Sequence, residues 1–247
     1  MATREEMSRS FGSAAGVYDA GRPEYPAQAV AWMLEPVRGA DRRPRVADVG
    51  AGTGKLTRVL VEMDADVVAI DPDPAMLELV ALPDVPTFVG TGEKLPLPDG
   101  GFDAVVFGQA WHWVDPPAAS AETARVLRPG GVLGLIWNIR DESVEWVAEM
   151  SAIMHGSAAE VMMASGGPTV TAPFGRLESR SWPWRRAMTR AGLLDMVHSR
   201  SYVITAEQDE RERIDRELSA VFDRIGAVGD AVIELPYVTT AFRARRP

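Results

Sequence analysis

The residues of this chain best placed to do chemistry lie in Val46-Ala-Asp48-Val-Gly50-Ala-Gly52-Thr-Gly54, where a short apolar run ends in three alternating glycines. A backbone so freed can turn tightly and approach a ligand, with the N–H groups of the next helix facing it. Such a turn can be purely structural, and several nucleotides use it, so the flanking residues decide. A loop that cradles phosphates wants Gly-Lys-Ser/Thr, but Gly54-Lys55 is followed by Leu56. The dinucleotide fingerprint wants a glycine two residues beyond Gly54, and Leu56 fills that place. Asp48, just before the first glycine, would repel a dianionic pyrophosphate and would tolerate or favour a cationic ligand. Asp71 ends the next apolar run, Asp66-Val-Val-Ala-Ile70, about 20 residues on, the usual place for a carboxylate that accepts from ribose hydroxyls. Capping the following helix is its competing use. Asp48 and Asp71 together point to an adenosyl ligand without phosphates.

Further segments recur in order: Ile70-Asp71-Pro-Asp-Pro-Ala-Met76, Gly90-Thr-Gly-Glu-Lys-Leu-Pro96, Phe102-Asp-Ala-Val-Val106 and Arg125-Val-Leu-Arg-Pro-Gly-Gly131. With the glycine loop they make most of the chain resemble the class I S-adenosylmethionine-dependent methyltransferases. The likeness is to the small-molecule branch that includes ubiquinone/menaquinone and trans-aconitate methyltransferases. The resemblance implies S-adenosyl-L-methionine as cofactor and S-adenosyl-L-homocysteine as product; the former carries an ammonium and a sulfonium and no phosphate. It also implies residue roles. Gly50, Ala51 and Gly52 would line the methionine portion and Asp71 would hold the ribose, with Asp48 and Pro72 in the same cofactor site. Met76, Gly92 and Glu93 would flank the adenine, Gly92 replacing the family's usual alanine. Gln109, Ala110 and Trp111 would pass the reactive methyl. Tyr18 and Arg22 match a Tyr-Asp-x-x-Arg-Pro element that, in relatives, folds over the cofactor's carboxylate end.

Trp111-His112-Trp113 follows the fourth apolar run. Trp111 and Trp113, with Trp137 and Asn138, are the expected walls of the substrate site, and His112 is the candidate catalytic base. Packing of the loop and a satisfied backbone group are the competing readings for these three. Asp115-Pro-Pro117 has the look of the Asp-Pro-Pro-Tyr motif of amino methyltransferases, but Ala118 stands where the aromatic should be; Asp as N-cap before proline explains it. Arg176, Arg180, Arg185, Arg186 and Arg190 near Trp182 and Trp184 read as an exposed basic surface balanced by the acidic stretch Glu207 to Glu217.

The elements that position these residues alternate. Apolar strands are expected at 45–49, 66–70, 87–89, 102–107 and 132–137, and helices at 27–37, 55–63, 74–81 and 117–127. The alternation predicts a Rossmann-like α/β fold: a seven-stranded, mostly parallel sheet with helices on both faces. Later come a helix at 143–154, a Gly/Pro/Thr-rich stretch at 165–173, a sixth strand at 177–184 and helices at 189–197 and 206–225. Residues 231–235 and 237–242 make a closing strand, with Pro236 forcing a bulge or an edge position. The 247 residues suit one methyltransferase domain, 1–247. Within it, 1–26 reads as an N-terminal lid and 185–229 as a helical cap inserted before the last strand.

A net charge of −9 argues against a dominant grip on nucleic acid. The absence of cysteine excludes disulfides and thiolate metal sites, and no metal is expected. Without an apolar signal or spanning run, a cytoplasmic protein with no membrane partner is expected, as monomer or homodimer. The expected reaction is methyl transfer to a small molecule, a carboxylate or hydroxyl oxygen favoured. Nucleic-acid methylation and non-catalytic, regulatory cofactor binding are the alternatives; a nicotinamide oxidoreductase is disfavoured by Asp48 and Leu56.

Overall fold

The structure is a computed structural model that describes residues 22–39, 42–154, 156–200, 203 and 206–247. Tyr18 and most of the expected N-terminal lid lie outside the described residues, as does His155. Strands β1 (Arg45–Val49), β2 (Asp66–Asp71), β3 (Thr87–Val89), β4 (Phe102–Gly108), β5 (Leu127–Arg140), β6 (Glu178–Thr189) and β7 (Val232–Arg245) form one sheet in the order 3-2-1-4-5-7-6. Strands β1 to β5 run parallel, and β7 is antiparallel to both β5 and β6. The expected seven-stranded, mostly parallel sheet is present.

Alternate residues feed two cores. Val46, Val67, Ala104 and Val132 face α1 (Ala27–Leu34) and α2 (Lys55–Glu62). Ala47, Val68, Val105 and Leu133 face the other way, towards α4 (Pro116–Val126) and α6 (Ala158–Ala164). Burial on both faces is why these strands read as unbroken apolar runs rather than as alternation. The short α3 (Pro74–Leu77) follows β2. Strand order reverses between β1 and β4, so the connections leaving their carboxyl ends diverge and open a crevice there. Gly50 follows β1 and Gln109 follows β4, one on each side of it.

A third core joins α5 (Glu145–Met154), α7 (Arg190–His198) and α8 (Gln208–Arg224) to Met188, Leu235 and Tyr237 of the last two strands. These helices follow the carboxyl ends of β5 and β6 and precede the start of β7, so they cap the same end of the sheet as the crevice. The sixth strand runs past Trp184 to Thr189, and the helical insertion between β6 and β7 begins at Arg190 rather than at 185. Arg185 and Arg186 look like loop because β6 is an edge strand whose side chains are largely exposed. They nevertheless pair with Pro236 and Leu235 of β7.

Pro236 sits inside β7 without breaking it. Its carbonyl accepts from Asp141 N, just past the last β5 residue in the ladder, Arg140, which pairs with Tyr237. In an antiparallel ladder a residue's N–H and C=O point to the same neighbour. The N–H that proline lacks would therefore point to the side where β5 has ended, a local edge. Helix α6 was not among the expected elements. Ser157 and Glu160 make a complete capping box at its start, a signal present in Ser157-Ala-Ala-Glu160.

Candidate functional site

A cavity at the crevice is lined by Arg22, Pro23, Tyr25, Asp48, Gly50, Ala51, Gly52, Thr53, Lys55, Leu56, Gly108, Gln109 and Asn138. Gly50, Gly52 and Gly54 all have positive φ, the conformation only glycine adopts without strain. At Gly50 a second constraint applies: a Cβ there would lie 2.5 Å from Ala110 Cβ. The glycine loop is thus pressed against the turn leaving β4. That turn is itself held open by Gln109, a non-glycine residue at φ 55° whose N–H donates to Ile136 O and whose Nε2 donates to Asn138 O.

Asp48 is fully buried. Its Oδ2 accepts from Thr57 Oγ1 at 2.6 Å, and its Oδ1 has no hydrogen-bond partner among the described residues. Burial pushes its carboxyl up to about 7, the Thr57 hydroxyl pulling partly back and the nearby Asp71 charge adding to the rise. A buried carboxylate short of a partner is costly, and a cationic group in the cavity would offset that cost.

Asp71 ends β2, buried, and both its oxygens are engaged. Oδ2 accepts from Gly52 N at 2.8 Å and Oδ1 from Asp73 N at 2.9 Å. Burial raises its pKa against these two backbone donors. The cap of α3 is Asp73, whose side chain accepts from Ala75 N. Asp71 therefore braces the glycine loop against β2, with lone pairs left to accept from a ligand hydroxyl. Asp71, Pro72 and the buried Met76 lie outside the cavity's lining, behind the glycine loop that Asp71 braces. Gly92 packs so tightly that a Cβ would meet Val114 Cγ1 at 2.7 Å, which accounts for glycine in place of alanine. Glu93 accepts from Asp115 N and so ties this loop to the start of α4; Asp115 caps that helix through Ala118 N, ahead of Pro116.

Arg22, Asp48, Gly50, Ala51, Gly52, Gln109 and Asn138 thus converge on one cavity, while Ala110 packs behind Gly50. Trp111, His112, Trp113 and Trp137 do not line it. Trp111 is buried, edge-on to Phe107, with its Nε1 donating to Thr169 O. Trp137 is buried beside Phe242, and its Nε1 donates to His112 Nδ1 at 3.4 Å. Since an indole nitrogen only donates, His112 Nδ1 is the acceptor in that contact. Trp113 packs against the His112 ring at 4.8 Å.

The cavity also contains residues to which the motifs assigned no role. Tyr25 reaches it because Gly108 leaves room: a Cβ on Gly108 would come within 2.8 Å of the tyrosine hydroxyl. Lys55 Nζ pairs with Glu24 at 3.2 Å, as does Arg58, fastening the segment before α1 to the start of α2. Tyr25 lies three residues after Arg22, in Arg22-Pro-Glu-Tyr-Pro26, where the motif assigns a role to Arg22 alone. Among the described residues no cluster of side chains could hold a metal ion, and no helix is long and apolar enough to cross a membrane.

Comparison with known proteins shows the family and the fold. Residues 47–135, from β1 to β5, match a family model described as a methyltransferase domain. An uncharacterised methyltransferase of Mycobacterium tuberculosis is 44% identical over 250 residues, covering 98% of both chains. A structure from Anaeromyxobacter dehalogenans described as a type II methyltransferase superposes with a TM-score of 0.69 at 25% identity, over 91% of this chain and 98% of that one. The fold is also that of Haemonchus contortus phosphoethanolamine N-methyltransferase 2, solved in complex with S-adenosyl-L-methionine: 15% identity, TM-score 0.54, all of this chain and 60% of that one. The chain belongs to the class I S-adenosylmethionine-dependent methyltransferases.

Proposed function

We propose that the cavity holds S-adenosylmethionine and that the chain transfers its methyl group to an oxygen of a small molecule, a carboxylate or hydroxyl. The observation that carries the proposal is the buried Asp48 carboxylate, with an oxygen still to be paired, in a cavity lined by the glycine loop. Asp48 would take the ammonium of the methionyl portion, and the glycine loop, whose own N–H groups at Gly50, Ala51, Gly52 and Gly54 are spent on Ile70, Asp71 and Ala51, would let the backbone pass close beside it. Asp71 would accept from the ribose with the lone pairs that Gly52 and Asp73 leave it. Arg22 and Lys55, both on the cavity wall, supply positive charge for the methionyl carboxylate.

When bound, the cofactor supplies a methyl group made electrophilic by its cationic sulfur. The chain's own contribution is to hold donor and acceptor in line and to exclude water, which supplies most of the rate in displacements of this kind. Tyr25 and Pro23 close the cavity on one side and Gln109 sets the turn on the other. Among the described residues no imidazole lines the cavity, and the His112 Nδ1 is taken up by Trp137. A carboxylate acceptor is ionised at neutral pH and needs no base, which favours it over an amine.

Calorimetric titration with S-adenosylmethionine, S-adenosylhomocysteine and NAD tests the cofactor, with binding of the first two and not the third expected. Binding of NAD alone would overturn the reading. Formation of S-adenosylhomocysteine is then followed across carboxylic acids, phenols, amines and RNA. Turnover on RNA would move the chain to nucleic-acid methylation. Tight cofactor binding without turnover on any class would make it a binding protein.

A further inference from the structure

Asn138 stands in the cavity wall, yet its side-chain amide is committed elsewhere. Nδ2 donates to Glu24 O at 3.2 Å, and Oδ1 accepts from Thr239 Oγ1 at 2.6 Å. Thr239 is fully buried in β7 and accepts in turn from Trp184 Nε1 of β6 at 2.8 Å. Trp184 stacks on Tyr237, ring centroids 5.1 Å apart and planes 18° from parallel, and the Tyr237 hydroxyl donates to Met196 Sδ in α7 of the cap. The registers Asn138↔Thr239 and Trp184↔Tyr237 bring these side chains out on one face of three adjacent strands.

The polarity of this chain of bonds has one solution. An indole N–H can only donate, so the Thr239 oxygen accepts from Trp184 and its proton goes onward to Asn138. That fixes Oδ1 as the amide atom facing Thr239 and leaves Nδ2 facing the Glu24 carbonyl, which can only accept. The amide therefore cannot flip without leaving two buried groups unpaired, and its donor stays aimed at the segment that carries Arg22, Pro23 and Tyr25 into the cavity.

We propose that Thr239, oriented by Trp184, is a positioning residue for the cofactor site: acting through Asn138, it holds the segment Arg22–Pro26 closed over the cavity. This rests on the reading of the cavity as the cofactor site. Nothing in Thr239 touches the cavity, so its effect on the ligand travels through Asn138 alone.

The test compares Thr239→Val, Thr239→Ser and Trp184→Phe with the wild type. The readouts are the dissociation constant for S-adenosylmethionine by calorimetry, backbone amide exchange of residues 22–30 by mass spectrometry, and thermal unfolding. Thr239→Val keeps shape and removes the hydroxyl; cofactor binding should weaken about tenfold, with faster exchange in 22–30. Thr239→Ser should stay within about twofold of wild type, and Trp184→Phe should weaken binding by about threefold. Steady-state turnover should show the Thr239→Val effect in KM for the cofactor rather than in kcat. Should Thr239→Val fail to fold, Trp184→Phe decides alone, since it keeps a ring to stack on Tyr237 and removes only the donor that fixes the direction of the Thr239 hydroxyl. Folded variants that bind as the wild type does, with unchanged exchange in 22–30, would overturn the proposal. A wild type that does not bind S-adenosylmethionine would overturn the cofactor reading instead.

Discussion

At the residue scale, the site is built around a carboxylate placed where the fold does not welcome it. Asp48 would ionise near pH 4 in an unfolded chain, but burial pushes it up to about 7 in the fold. Its raised pKa means that the native state binds the proton more tightly, so its contribution to stability is fully present below about pH 4 and is lost as pH rises through 7. Asp48→Asn keeps an acceptor for Thr57 and removes the charge. The variant without ligand should melt several degrees higher than the wild type at pH 8, and the gain should vanish at pH 4. Its affinity for S-adenosylmethionine should fall by about tenfold or more. In the wild type, affinity should rise as the pH approaches about 7 and Asp48 ionises, and in the variant this rise should be absent. Equal pH profiles for the two would separate Asp48 from the ligand. His112 gives a contrasting expectation: with Nδ1 against Trp137 and no place on the cavity wall, His112→Gln should leave kcat on a carboxylate acceptor within about threefold.

At the element scale, two turns that follow adjacent strands must touch. Gly50, at φ 71°, presses on Ala110 after the strained Gln109. Gly50→Ala places a Cβ 2.5 Å from Ala110 Cβ and forces a residue with a side chain into the left-handed region, about 1–2 kcal/mol before any clash is counted. Cofactor affinity should fall about a hundredfold. Adding Ala110→Gly removes the clash and leaves the backbone strain, so it should restore part of the affinity and not all. Full restoration, or none, would show that one of the two costs is missing; the titration distinguishes them. The glycines were legible because backbone freedom is written in residue type. Asp48 and Asp71 were legible because they lie at strand ends. Tyr25 and Thr239 were not, since their roles depend on Gly108 making room and on a partner in a distant strand. For the tryptophans residue type decides nothing: aromatics near a strand end suit a cavity wall and a core equally, and Trp111 and Trp137 are buried in the core.

At the scale of the whole molecule, β7 links three cores into one structure. Strands alternating with helices made the parallel half readable, because every helix there returns the chain to the same sheet. The rest was less so, since β6 and β7 pair over twelve positions while the helices between them pack elsewhere, and polar side chains on an edge strand look like loop. Leu235 and Tyr237 of β7 belong to the cap core, while Ala241 and Ala244 of the same strand belong to the two sheet cores. A strand shared in this way should keep the cap from melting alone. Phe222 tests it: the ring is fully buried in the cap core, under the Arg190 guanidinium, far in sequence from any cavity residue. Phe222→Ala should cost about 3–5 kcal/mol. For a chain of this length that lowers the melting temperature by roughly 10 °C, in one calorimetric transition. S-adenosylmethionine at a hundred times its dissociation constant returns about 2.7 kcal/mol to the whole transition, so most of the drop should be recovered with ligand. A trace that splits in two, with only the upper transition responding to ligand, would mean that the cap core unfolds on its own and that β7 does not couple it to the sheet.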